Sequence, residues 1–202
     1  MTTPDPALLT LDRAAQDLLF RDARTAKTFA PDPVSDEQVA TILDLVKWGP
    51  TMTNSQPMRV LLARSDDARA RVGAHMLPNN RTRTESAPLV AVVSADLRFD
   101  RHIERVFPGA PHIAQMYQDD AFRTLVADSQ AWMQAGYLVL GIRAMGLDVC
   151  PMMGFDRAGL DADLLSGTDL RSILVLAIGH AGPDAYGPRQ PRLDYDEVVT
   201  VL

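Results

Sequence analysis

From Asp119 to Met145 the chain contains no proline, and at a rise of 1.5 Å per residue that stretch builds one helix roughly 40 Å long. A rod of that length becomes the central element of any compact fold containing it. Ala127, Ala131, Ala135, Gly136 and Gly141 set small side chains along it, as a helix requires where neighbouring backbones approach closely. Gly146 is a fitting C-terminal stop. Burial on several sides follows.

Shorter elements surround the rod. Leu8, Leu11, Ala15, Leu18 and Leu19 recur at helical steps between Ala7 and Phe20. Ser35, with Gln38 three residues on, makes a capping box that opens a helix through Val39, Ile42, Leu43 and Val46, ended by Gly49 and Pro50. Asp66–Leu77 and Asp156–Leu165 read as helices, and the tail DYDEVVTVL as a last one. The apolar runs Val60–Ala63, Pro88–Ala95 and Ile173–Ile178 read as buried strands, with Asp148–Pro151 as a short one. Phe99–Pro111 carries three prolines or glycines and no period, so an excursion or lid outside the core is expected there. Strands and helices mix without strict alternation, and no linker divides the chain. A single α+β domain over residues 1–202 is therefore predicted.

A hydrophobic fraction of 47% over 202 residues is enough for a real core. Twenty Lys and Arg against 26 Asp and Glu leave a net charge of −6, which argues against a nucleic-acid partner. Cys150 is the only cysteine, so no intrachain disulfide or multi-cysteine metal site can form; between Val149 and Pro151 it reads as a small buried hydrophobe. No stretch approaches the ~18 to 20 apolar residues of a membrane span, and the N-terminus lacks a basic segment leading into an apolar run. A cytoplasmic protein without a membrane partner is expected. Nucleotide-binding, P-loop, nucleophile-elbow and zincin motifs are all absent, and His75, His102, His112 and His180 lack ligand spacing. Hydrolysis and metal chemistry are disfavoured.

Separate clusters combine cations with short polar side chains in loops beside helix ends. Arg24, Thr25 and Lys27 put a guanidinium, a hydroxyl and an ammonium within four residues, a set able to hold a phosphate monoester. In Gly49–Pro57, prolines bracket Thr51, Thr53, Asn54 and Gln56, a loop able to present amides and hydroxyls to a flat heteroaromatic ring. Arg189 and Arg192 stand among prolines near the C-terminus, and Asn80 with Arg83 precedes a strand. Each cluster alone reads equally as a solvated charge run or a polar turn.

In order and spacing, the strings DARTAKTF, KWGPTMTNSQPMR, GLDVCPMMGFD and PRQPRL resemble the FMN-dependent nitroreductase family, nearest its malonic semialdehyde reductase branch, from about Arg21 to Leu202. The resemblance implies a nitroreductase-like α+β fold with a central mixed sheet flanked by helices. It also implies a domain-interlocked homodimer, with the long helix against its mate and FMN at the subunit interface. Arg24, Thr25 and Lys27 fall on the positions for the phosphate and ring edge, and Arg189 and Arg192 on those of the C-terminal phosphate cations. Pro50, Thr51, Thr53, Asn54 and Gln56 fall on the isoalloxazine or ribityl loop, and Asn80 and Arg83 near the pyrimidine edge. Pro151, Met152, Met153 and Gly154 fall on the stretch facing the ring from the other chain. Two departures stand out: Met153 replaces a glutamate common in the family, and Ala23 occupies the place of the first phosphate arginine. The implied activity is NAD(P)H oxidoreduction, hydride passing from NADH or NADPH through flavin N5 to malonic semialdehyde, a nitro compound or a quinone. No protein side chain is needed as a catalytic group. A flavin-binding storage or sensing protein without turnover is the alternative.

Overall fold

The structure, a computed structural model, describes residues 9–202. Ala7 and Leu8, part of the expected first helix, lie outside the described residues. That helix opens later than its apolar spacing suggests. Asp12 accepts from the Ala15 amide and caps α1 (Arg13–Gln16), which widens into a π turn over Asp17–Arg21. Helix α2 (Asp36–Val46) begins at the predicted capping box, Ser35 and Gln38 each receiving the other's amide. A 3-10 turn (Met52–Asn54) leads to β1 (Met58–Ala63), then α3 (Asp66–Ala74), α4 (Pro78–Ser86) and β2 (Leu89–Asp96).

Three short helical pieces follow: a 3-10 turn (Phe99–His102), α5 (Ile103–Val106) and a second 3-10 stretch (Pro111–Gln118). They correct the expectation of a lid, because Phe99, Ile103 and Tyr117 are fully buried. The rod is present as α6 (Asp120–Ala144), and Gly146 ends it at φ +76°, where any side chain is strained. Strand β3 (Asp148–Met152), α7 (Arg157–Leu164), β4 (Leu170–Gly179) and a single turn, α8 (Tyr195–Val198), complete the chain. The expected last helix is only that turn. Among the described residues no helix is long and apolar enough to cross a membrane.

The sheet runs β1-β2-β4-β3 and is antiparallel at every strand pair, not mixed as expected; the parallel contact is one isolated bridge, Thr25 to Val149. Strand β2 is buried along its whole length because helices cover both faces. Leu89, Ala91 and Val93 meet α2 and α6, while Val90 and Val92 meet α3 and α7 through Val72 and Leu160. β1 lies at the sheet edge and is only partly buried, with Leu61 exposed, so it is not the buried strand its composition suggests. The small residues of α6 work as predicted on the inner side. Ala127, Ala131 and Ala135 are buried, and a Cβ at Gly141 would run into Val46 of α2. Gly136 faces outward.

Candidate functional site

Residues 24–29 are stitched across the end of the sheet by the Thr25–Val149 and Phe29–Ala181 bridges and by the Lys27 amide donating to the Ala185 carbonyl at 2.9 Å. That pinning aims Arg24, Thr25 and Lys27 at one place. Arg24 donates to the Gly187 carbonyl and lies 5.9 Å above the Tyr186 ring, while Arg189 donates to the carbonyls of Arg21 and Ala23. The C-terminal basic segment is thereby folded against the N-terminal one. The result is a cleft of about 530 Å³ lined by Arg24, Thr25, Lys27, Arg143, Arg189 and Arg192. Among the described residues none of its five cations is in a salt bridge, whereas Arg59, Arg71, Arg101, Arg123 and Arg171 all are. In a chain of net charge −6, such unneutralised cations in a recess focus potential on an incoming anion. Beside the cleft, burial and the 2.6 Å hydrogen bond to Asp148 push the Tyr186 hydroxyl up to about 12, so it stays a neutral donor.

A second wall adjoins this cleft. The Gly154 carbonyl accepts from the Leu77 amide at 3.0 Å and from Asn80 Nδ2 at 3.1 Å, and Arg83 donates to Asn80 Oδ1 at 3.3 Å. The packing at 154 is close: a Cβ there would stand 2.7 Å from Asn80 Nδ2 and 3.1 Å from Leu77 Cδ1, so both side chains would have to shift and the Asn80 bond with them. Burial pushes the Cys150 thiol up, opposed by the charges of Arg83 and Lys27, so one cation from each wall lies near this residue of β3. The thiol stays neutral and packed, as its neighbours in sequence suggest. Strand alternation divides the next residues: Pro151 and Met153 are exposed, while the Met152 side chain enters the core beside Val175 and Leu160. Met152 can therefore offer a ligand only its backbone. Within one chain, Gly154 therefore lies beside Asn80 and Arg83.

Pro50 to Gln56 do not join this group within one chain. The loop leads into Met58, paired with Ala95, whereas Thr25 lies at the opposite end of β2, bridged through Val149 and Ile178 to Leu89. Six residues of strand separate the two ends by about 20 Å. The loop is rigid and strained, with Thr53, Asn54 and Gln56 at φ of 51°, 54° and 45°. Its own side chains hold it. Thr51 Oγ1 accepts from the Gln56 amide at 3.3 Å, Thr53 Oγ1 is 2.6 Å from the Tyr117 hydroxyl, Asn54 donates to the Val106 carbonyl at 2.7 Å and Gln56 donates to Asn54 at 2.8 Å. From α6, Gln130 accepts the Met52 amide at 2.8 Å. The 99–118 segment is thus the clamp of this loop. Tyr117→Phe is expected to lower stability by about 0.5–1.5 kcal/mol, measured by urea unfolding; an unchanged midpoint would remove the Thr53 bond from the argument.

Two features had no sequence signal. Arg143 reads in sequence as an ordinary cation in a helix's last turn, and Tyr186 as a loop aromatic. The outer side of α6 exposes Leu125, Trp132, Met133 and Tyr137, and α2 and the residues just after it expose Leu45 and Trp48, with Trp48 78% exposed. Large apolar side chains exposed in a row are what association surfaces are made of. Among the described residues no group of three His, Cys, Asp or Glu side chains is placed to hold a metal ion.

A family model described as the nitroreductase family matches residues 20–180. A Streptomyces coelicolor protein is 48% identical over 195 residues, 96% of this chain and 99% of its own, and its name proposes an NADH dehydrogenase/NAD(P)H nitroreductase. Among solved structures, the YdfN nitroreductase of Bacillus subtilis aligns with a TM-score of 0.85 at 21% identity, over 95% of this chain and 100% of that one. A nitroreductase of Exiguobacterium sibiricum, solved in complex with FMN, gives 0.84 at 20% identity, over 96% and 98%. The antiparallel sheet between helical layers, the basic cleft at its end and the match across most of its length place one conclusion beyond the resemblance: the chain belongs to the nitroreductase family.

Proposed function

We propose that this chain is an FMN-dependent NAD(P)H oxidoreductase acting on a small oxidant as a homodimer. The observation that carries the reading is the convergence on β3 of a recess holding five unpaired cations with the Asn80–Gly154 wall. The residues fit the cofactor: the cations suit a phosphate dianion, the Asn80–Gly154 wall offers an amide beside Cys150 of β3, and Arg83 and Lys27 can stabilise negative charge on a reduced ring. FMN, when bound, supplies a ring position that accepts hydride and hands it on. The protein's task is to hold, orient and exclude water, which accords with a site lacking a nucleophile or an acid–base pair.

The 20 Å gap is bridged by a second copy. Its Pro50–Gln56 loop completes the site when the exposed α6 stripes pack together, and the exposed Leu193, Tyr195, Val198 and Val201 of the tail reach over to interlock the subunits. Malonic semialdehyde is the oxidant that the motif strings favour, with nitro compounds and quinones as the broader class, and Met153 leaves that side of the pocket without a carboxylate. The setting is cytoplasmic.

Purified protein given FMN should turn yellow and bleach on anaerobic addition of NADH or NADPH. Reductant and oxidant using one site in turn should give parallel double-reciprocal lines. Colourless protein after incubation with FMN overturns the cofactor assignment; yellow protein that neither nicotinamide bleaches is the storage or sensing alternative.

A further inference from the structure

We propose that Arg143, on the last turn of α6, is a phosphate ligand of the cofactor; this rests on the cleft being the FMN phosphate cradle. Two other arginines of the cleft tie its walls together through backbone, Arg24 to the Gly187 carbonyl and Arg189 to those of Arg21 and Ala23, while Arg192 donates to its own neighbours Gln190 and Pro191 and is exposed. Arg143 is half-buried, yet its hydrogen bond among the described residues is a long one, 3.4 Å to the Leu19 carbonyl. A guanidinium has five N–H donors in a planar fork. Most of Arg143's are unused.

The nearest carboxylate does not change this. Asp148 raises the affinity of Arg143 for its proton, but among the described residues it forms no ion pair with it, and its two oxygens face the Tyr186 hydroxyl at 2.6 Å and the Ala181 amide at 3.0 Å. Burial dominates and lowers the Arg143 pKa, the signature of a cation stripped of water without a counter-ion. A helix C-terminus gives partial compensation, but that accounts neither for the burial nor for the position. Arg143 lines both the large cleft and an adjoining recess of about 190 Å³, the two sharing Ala23 and Arg24. It therefore borders both recesses, and with Lys27 and Thr25 on the lining of the larger one its planar fork is available to a phosphate there.

The test crosses one side chain with one ligand group. Apoprotein with Arg143, Arg143→Gln or Arg143→Lys is titrated with FMN and with riboflavin, which differs by the phosphate alone. The expected result is at least a tenfold loss of FMN affinity in Arg143→Gln, the scale of a lost charge-assisted hydrogen bond. Riboflavin affinity should be unchanged, and Arg143→Lys should recover part of the loss. Equal loss for both ligands, or loss for neither, overturns the role of Arg143 while a wild-type preference for FMN over riboflavin upholds the cradle. Wild-type protein that does not discriminate the two ligands overturns the cradle, and this assignment with it.

Discussion

Phe99→Ala is expected to destabilise the protein by about 3–5 kcal/mol, the cost of emptying a large aromatic site in a core. The ring is fully buried and meets Tyr117 edge-to-face at 4.8 Å, with Tyr117 stacked 6.0 Å from Phe122 at the start of α6. Against a total stability of about 5–15 kcal/mol, such a loss is large. It should lower the melting temperature by roughly 10 °C in a chain of this size. The damage should spread, because Tyr117 also carries the hydroxyl beside Thr53. If the segment were a mobile cover instead, the substitution would cost less than about 0.5 kcal/mol, and that outcome in a thermal melt would return residues 99–118 to the lid first expected.

Gly136→Arg is expected to abolish both dimer formation and FMN binding. On the single chain it is harmless: a Cβ at Gly136 has nothing within 4 Å, and replacing glycine in a helix interior gains up to about 1 kcal/mol. In a dimer joined through the outer stripe of α6, the same guanidinium is trapped unpaired between apolar surfaces, at a cost of several kcal/mol. Sedimentation should report a monomer with unchanged helical circular dichroism, and FMN affinity should fall by more than about 100-fold, since each 1.4 kcal/mol is a factor of ten. A folded monomer that still binds FMN tightly would show that one chain holds the whole site.

Much of the scaffold was legible because local signals and burial agree in it. The Ser35–Gln38 box, the apolar runs of β2 and β4 and the proline-free rod each point to one structure. The 99–118 region was not legible, since three short helical pieces of differing period leave no repeat for apolar spacing to follow. Only contacts with distant residues bury Phe99, Ile103 and Tyr117. The mixed sheet failed for a related reason, because strand direction depends on how crossovers route the chain and not on the residues within a strand.

In the candidate site, Arg24, Thr25, Lys27, Arg189 and Arg192 were visible as unusual local mixtures of charge and proline, and the structure brings them together. Their carbonyl partners were not visible, because hydrogen bonds such as Arg24 to Gly187 span most of the chain. Thr53, Asn54 and Gln56 were singled out for their polar groups, yet those groups shape the loop itself. Met152 was read with its neighbours as one stretch, although strand alternation turns its side chain into the core.

Helix α6 touches both halves of this arrangement: Gln130, near its middle, receives the Met52 amide, and Arg143, in its last turn, lines the cleft. Thirteen residues of helix separate them by about 20 Å. The rod therefore serves as a ruler, calibrating the span from strained loop to basic recess. A bend anywhere along it would detune both places at once, even where the altered residue touches neither.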